Sequence, residues 1–483
     1  MNDTTGRAGI GAVIPAPWSV DAAAAGVRLA EDVAVVATGP AVDVGELLAQ
    51  GLRELTGFAV PVRSDGPGIW LSLDATAEGD EGYRLSVDPS GIAITALAPA
   101  GLFYGAQTLL QLMPTGPDWL VPGGRIIDRA RLPYRGLMLD VARHFFTVAQ
   151  VCRMVDLAAR YKLNHLHLHL TDDQGWRIAV RSRPALTGYG GGTEVGDGPG
   201  GYYSQDDYRE IVAYAARRFV TVVPEIDLPG HTNAALASCP ELNPGGVAPP
   251  RYTGIEVGFS ALDVTSERTY AFLDEVFGEL AALTPGPYLH IGGDEAKTLD
   301  PDRYAIIVDR VQELVAAHGK KVIGWHEIAA AKLAPSTVVQ FWGDTPESPN
   351  LVAAAAQGNR VIMSPADRAY LDMRYDEDSP LGLSWAGYVS VRRAYDWDPV
   401  SLVPGLDPAA VLGVECPLWT ETALTSADLE YLALPRLPAI AELGWSDPDR
   451  HDWESFRSRL AAQATAWTAL GLNYYASPEI DWP

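Results

Sequence analysis

The chain is 483 residues long, with 61 acidic against 36 basic side chains, a formal charge of −25 and ordinary apolar content. That length allows a large core and more than one domain without a metal or disulfide to hold it. The acidic excess argues against nucleic acid and anionic membrane as partners and favours a neutral polar small molecule.

The opening MNDTTGRAGIGAVIPAP has neither the basic start nor the apolar run of a secretory signal, and no later segment is long and apolar enough to span a bilayer. This predicts a soluble, cytoplasmic protein, or a secreted one if the N-terminus was trimmed. Residues 1–130 read as a small α+β domain. Helix patterns at Val42 to Gly57 and Leu102 to Met113 flank strand candidates at Ala59 to Val62, Ile69 to Leu73, Tyr83 to Val87 and Ile92 to Leu97. No cluster of titratable residues marks chemistry there. The three cysteines, Cys152, Cys239 and Cys416, are far apart and form no CxxC, which predicts buried free thiols.

From 131 to 483 the pattern becomes strand, loop, helix. Eight apolar strand candidates follow: Gly136 to Val141, His165 to Leu170, Val220 to Pro224, Tyr288 to Ile291, Val322 to Trp325, Val338 to Trp342, Val361 to Ser364 and Val411 to Leu418. Helical patterns lie between most of them, at Val148 to Tyr161, Asp206 to Arg218, Ser266 to Leu283, Asp302 to His318 and Asn350 to Gly358, whereas Leu371 to Ala410 reads as loop. The fold class is therefore α/β, a (β/α)8 TIM barrel preceded by a smaller α+β domain. Such a barrel demands that polar and aromatic residues collect where the strands end, and they do. In order these are Arg143 with His144, Asp172 with Asp173, Glu225 with Asp227, Asp294 with Glu295, Trp325 with Glu327, Trp342 with Asp344, Asp367 with Tyr370 and Asp372, and Trp419 with Glu421.

The stretch YLHIGGDEAK, Tyr288 to Lys297, runs an apolar strand into two glycines and two adjacent acids. Buried carboxyls must be paired or keep their protons, which is what acid catalysis uses. The competing reading makes Asp294 the N-cap of the following helix. In NHLHLHLTDDQGW, His165, His167 and His169 share one strand face, either as metal ligands or as a row of hydrogen-bonded barrel histidines. VVPEIDLPGHTNAA puts Glu225, Asp227 and His231 in a tight loop after the third strand. With Asp172 and Glu295 these could form a relay that adjusts a catalytic carboxyl. Trp325, Trp342, Trp385 and Trp419 fall near the mouth with Tyr370, whereas core tryptophans would scatter along helices. Indoles stack on sugar faces and can enclose a methyl group, so the aromatics suggest a pyranose with a small apolar substituent.

The motifs RGLMLDVARHF, HLHLTDDQGW, PEIDLPGH, HIGGDE, GWHE, QFWG, YLDMRY and LWTE strongly resemble those of glycoside hydrolase family 20, the β-N-acetylhexosaminidases, in particular the bacterial exo-acting enzymes. The resemblance implies retaining hydrolysis of terminal β-linked N-acetylhexosamine, with the substrate's acetamide as nucleophile and an oxazolinium intermediate. It implies Glu295 as acid and base, Asp294 as the acetamide's orienting group, and Asp172 with His231 as the pair tuning Glu295. Trp325, Trp342, Trp419 and Tyr370 would form the acetamide pocket and sugar platform, and Arg143, Asp372, Trp385 and Glu421 would bind the hydroxyls. No cofactor or metal is implied, and the partners would be N-acetylhexosaminides, chito-oligosaccharides or glycans. A metal-dependent barrel hydrolase and a non-catalytic sugar-binding barrel are the alternatives, and the glycine-rich Gly188 to Gly201 has no assigned role.

Overall fold

The computed structural model describes residues 9–75, 79–114, 116 and 118–483. Met1 to Ala8, the first half of the stretch read for a leader, lie outside these residues. The N-terminal unit is a seven-stranded mixed sheet in the order β1-β9-β6-β7-β5-β3-β4, with a separate β2-β8 pair. The strands are β1 (Ser19–Ala22), β2 (Val27–Arg28), β3 (Val35–Ala37), β4 (Val62–Arg63), β5 (Ile69–Leu73), β6 (Tyr83–Asp88), β7 (Gly91–Ala96), β8 (Leu120–Val121) and β9 (Gly124–Asp128). Helices Val42–Thr56 and Pro99–Leu112 cover one face. The strand expected at Ala59 to Val62 is mostly loop, because Pro61 cannot donate to a ladder. Strands β1, β2, β3, β8 and β9 went unpredicted, being two to five residues long and too short to show a period.

The second unit is a closed eight-stranded barrel: β10 (Tyr134–Asp140), β11 (His165–His169), β12 (Thr221–Leu228), β13 (Tyr288–Gly292), β14 (Lys321–Trp325), β15 (Val338–Phe341), β16 (Arg360–Met363) and β17 (Val411–Leu418). All eight neighbouring pairs are parallel. The strands are nearly continuous runs of buried residues, as expected when helices cover the outside and side chains fill the inside.

One boundary differs in a way that matters. β12 continues through Pro224 to Leu228, so Glu225 and Asp227 stand on the strand inside the barrel rather than in a loop after it. The expected helices are all present. Three more close the chain, at Ser426–Ala433, Arg436–Trp445 and Trp453–Ala469, and they bury Trp445 and Trp467. Asp294 is not a cap: the helix after it is Pro301–Ala317, and Asp300 caps it by accepting from the Arg303 N–H at 3.0 Å. All three cysteines are free and buried. Among the described residues no helix is long and apolar enough to cross a membrane.

Candidate active site

At the end of β13 the chain turns through Gly292 and Gly293, at φ +66° and +109°. A Cβ on Gly292 would lie 1.6 Å from Asp227 Oδ1, so only glycine lets the turn pass that carboxylate. Glu295 follows at φ +46°, in the left-handed region, as does His231 at φ +54°. Non-glycine residues there cost about 1–3 kcal/mol each, and the surrounding structure must impose them. The effect is to swing two adjacent carboxyls toward one imidazole: His231 Nε2 lies 3.5 Å from Asp294 Oδ2 and 3.6 Å from Glu295 Oε2.

His231 is held from behind, its Nδ1 3.1 Å from Asp172 Oδ1. Asp172 in turn pairs with Arg143 Nη2 at 2.7 Å and with His169 Nε2 at 2.9 Å, both on Oδ2. Burial works against the charge on Asp172, but Arg143 and His231 outweigh it and hold the carboxyl well below its usual range. Burial is also the main influence on Asp294, which it raises to about 6. Glu295 moves the other way. Burial pushes it up, yet the pull of His231 and of Lys297, whose Nζ is 2.8 Å from Oε1, brings it below the usual value.

The aromatics form a connected wall. Ring centroids run Trp325 to Trp419 at 5.9 Å, Trp419 to Tyr370 at 6.3 Å, Tyr370 to Trp385 at 5.9 Å and Trp385 to Trp342 at 5.9 Å. Trp325 is buried, its indole N–H donating to Glu225 at 2.9 Å, and Trp342 donates to Glu327 at 2.9 Å. Trp385 is 51 % exposed, a ring standing at the rim. Arg143 lies over the Trp419 ring at 4.8 Å.

Several buried polar atoms of this mouth have no hydrogen-bond partner among the described residues: Asp294 Oδ1, His231 Nε2, Arg143 Nε and Nη1, Asp372 Oδ2 and Glu421 Oε2. Each costs on the order of 1–3 kcal/mol until something binds it. Burial and then Glu421 raise the proton affinity of Asp372, and burial raises that of Glu421, with Arg143 opposing and Asp140 and Asp172 adding to it. Two acids and an arginine beside indole faces suit a ligand that offers hydroxyls. Arg143 is already engaged, its Nη2 by Asp172 and its Nη1 3.5 Å from Asp140 Oδ2, so Nε and Nη1 are what it can turn to a ligand. Asp367, at another strand end, is buried and pairs with Arg368 and Arg393 instead.

Sequence reasoning placed Glu327 at a strand end without giving it a role, and did not single out Lys297. Burial raises Glu327 to about 7. Lys297 follows the acid pair in the same motif, which was the signal available for it. The glycine-rich segment also gains a role: buried Arg177 donates to the carbonyls of Gly191, Thr193 and Gly201 and to those of Val141 and Ala142, clamping the segment against the end of β10. Oxygen and nitrogen atoms of His167, Glu225 and His290, and of Asp227, His231 and Asp294, converge closely enough to hold an ion. Both ring nitrogens of His167 and of His169, however, already face carboxylates, so a metal would have to displace those partners.

Residues 132–301 and 300–448 match the model of glycosyl hydrolase family 20, catalytic domain, and residues 11–129 match that of glycosyl hydrolase family 20, domain 2. A beta-N-acetylhexosaminidase of Cellulomonas fimi is 48% identical over 450 residues, 92% of this chain and 90% of that one. The fold superposes with a TM-score of 0.97 on a mutant Streptomyces plicatus beta-hexosaminidase in complex with product (GlcNAc), 52% identical and covering 99% of this chain and 98% of that one. An exo beta-N-acetylglucosaminidase of Vibrio harveyi in complex with N-acetylglucosamine gives 0.86 at 29% identity, covering 98% of this chain and 80% of that one.

Proposed function

The chain belongs to glycosyl hydrolase family 20, and on that premise we propose how its residues divide the work of an exo-β-N-acetylhexosaminidase. The enzyme acts by substrate-assisted catalysis, in which the 2-acetamido group of the terminal sugar supplies the nucleophile. The observation that carries the assignment is the adjacent pair Asp294 and Glu295, which meet at one histidine while presenting different oxygens to the mouth. Asp294 Oδ1 is buried without a partner and suits the acetamide N–H. A hydrogen bond there favours the ionised carboxylate, reversing the upward pull of burial.

In the first step the acetamide oxygen attacks the anomeric carbon as its bond to the glycosidic oxygen breaks, and Glu295 gives its proton to that leaving oxygen. Asp294 stabilises the positive charge that spreads over the resulting oxazolinium ring. In the second step Glu295 takes a proton from water as the water attacks the anomeric carbon, the bond from that carbon to the acetamide oxygen breaks and regenerates the acetamide, and the original configuration is restored. A well-held internal nucleophile supplies an effective molarity of about 10⁵ M or more, and a positioned acid about 10² to 10⁴ in rate. Trp325, Trp342, Trp419 and Tyr370 suit the acetamide methyl and the sugar face. Arg143, Asp372, Trp385 and Glu421 suit the hydroxyls of a non-reducing end, and the substrates are terminal β-linked N-acetylhexosaminides of glycans or chito-oligosaccharides.

Replacing the acetamide by a hydroxyl is the test. An aryl N-acetyl-β-glucosaminide is expected to turn over and the matching plain β-glucoside to be nearly inert. Equal rates on the two would overturn the assignment, and so would activity abolished by chelator, which favours metal-assisted hydrolysis.

A further inference from the structure

Beneath Asp172 the barrel axis carries an unbroken run of alternating acids and histidines. His169 Nε2 meets Asp172 Oδ2 at 2.9 Å, and its Nδ1 meets Glu225 Oε2 at 2.6 Å. That same oxygen meets His167 Nε2 at 3.0 Å, and His167 Nδ1 meets Glu415 Oε1 at 2.9 Å. Glu415 ends the run, taking the Tyr134 hydroxyl at 2.6 Å and the Gln340 amide at 2.6 Å. All five members of the run are fully buried. A neutral imidazole has one donor and one acceptor, whereas an ionised carboxylate only accepts. A histidine whose two nitrogens both face carboxylates must therefore donate from both and carry a charge, unless one of the acids holds a proton.

We propose that Glu225, His167 and His169 form a charged column that balances Asp172 from below and thereby sets the proton affinity of His231 and of the acid Glu295. The proposal rests on Glu295 being the acid. Asp172 then carries two cations on one oxygen, His169 and Arg143, while its other oxygen holds the His231 Nδ1–H. Against burial, Asp172 and Asp294 raise His231 well above its ordinary value, and the two cations on Asp172 temper that pull and so set how readily His231 shares its Nε2 proton with Glu295. The other titratable groups facing His169 are Asp227 on β12, whose proton affinity burial and then Asp294 raise, and, across Glu225, His290 on β13, which burial shifts toward the neutral ring. Those facing Glu295 are Asp294, Glu327 and Lys297. Burial opposes charge on both column histidines, but the flanking carboxylates overcome it, raising His167 to about 9 and His169 well above its ordinary value.

Glu225→Gln tests the column with little change of shape. With its NH₂ in place of Oε2, the amide donates to His167 and His169 together, so each hydrogen bond survives with its polarity reversed and both imidazoles become neutral. One negative and two positive charges disappear, the potential at the mouth becomes more negative, and every proton there is held more tightly. Both limbs of the pH profile of kcat/KM are expected to move up by about one unit. A profile that stays in place, whatever the loss of stability, overturns the proposal. Nitrogen-15 histidine spectra of the unmodified enzyme at pH 8 are expected to show His167 and His169 as imidazoliums, assigned by the signals lost in His167→Gln and His169→Gln. Neutral rings there overturn it equally, without any need for the Glu225 variant to fold. Failure of the acid assignment is separately visible, as a Glu295→Gln enzyme that keeps its rate and its alkaline limb.

Discussion

The barrel interior is built in layers, and its floor and the layer above it obey opposite rules. At the floor Tyr134, Val223, Ile323, Val338 and Ile362 pack into a small apolar cluster of their own. Two residues further along each strand, hence on the same inward face, stand Gly136, Glu225, Trp325, Gln340 and Ser364, with His167 and Glu415 beside them. The floor packs by shape, apart from the Tyr134 hydroxyl that reaches up to Glu415, while the polar layer is held by hydrogen bonds. Gln340 binds Ser364 at 3.0 Å and Glu415 at 2.6 Å, and Trp325 binds Glu225. Gly136 makes room, since a Cβ there would meet Glu415 Oε2 at 2.4 Å. One end of the barrel is thus a support and the other a charge device, and variants should separate the two.

The largest separation is expected at the mouth. Glu295→Gln should lower kcat/KM on aryl N-acetyl-β-glucosaminides by about 10² to 10⁴ while the melting temperature stays close to that of the unmodified enzyme. Asp294→Ala should lose activity heavily too, and azide should not restore it, because Asp294 is not a covalent nucleophile. One step down, Asp172→Asn removes the charge shared by Arg143, His169 and His231. Breaking a buried ionic set in this way costs about 3–5 kcal/mol, so here stability and activity should fall together, as calorimetry and kinetics on one preparation would show. At the floor, Ile362→Ala should cost about 2–5 kcal/mol of stability and leave the pH profile of the folded enzyme unmoved. A shifted profile in that variant would erase the distinction between the layers.

How much of this was legible in the sequence follows the same division. The eight barrel strands stood out because short apolar runs alternate with amphipathic helices, and Asp172, His231, Asp294 and Glu295 stood out because acids and histidines crowd the strand ends. The column did not. HLHLH tells which residues share a face, but not that Glu225 and Glu415, from strands distant in sequence, stand between and below the histidines. Pro224 also looked like the end of its strand, although the ladder continues past it, which put Glu225 in a loop. The C-terminal helices have caps at Thr425 and Asp452, but Arg436–Trp445 is buried on every side and shows no amphipathic stripe, and the shortest N-terminal strands are too short to show a period.

Lys297 offers the mildest and most exposed way to move the charge device. Its side chain is 59% exposed, and its Nζ lies 2.8 Å from Glu295 Oε1, on the oxygen turned away from His231. A cation there favours the ionised acid and, with His231, holds Glu295 below its ordinary value against burial. Removing the cation lets Glu295 hold its proton to higher pH, and the acid form is the one that starts the reaction. Lys297→Met should therefore move the alkaline limb of kcat/KM upward, by only a few tenths of a unit because solvent screens an exposed pair. Raising the salt concentration should move the limb of the unmodified enzyme in the same direction and that of the variant much less. A downward shift in Lys297→Met would mean that Lys297 helps the acid keep its proton, and the division of labour between His231 behind Glu295 and Lys297 in front of it would have to be reversed.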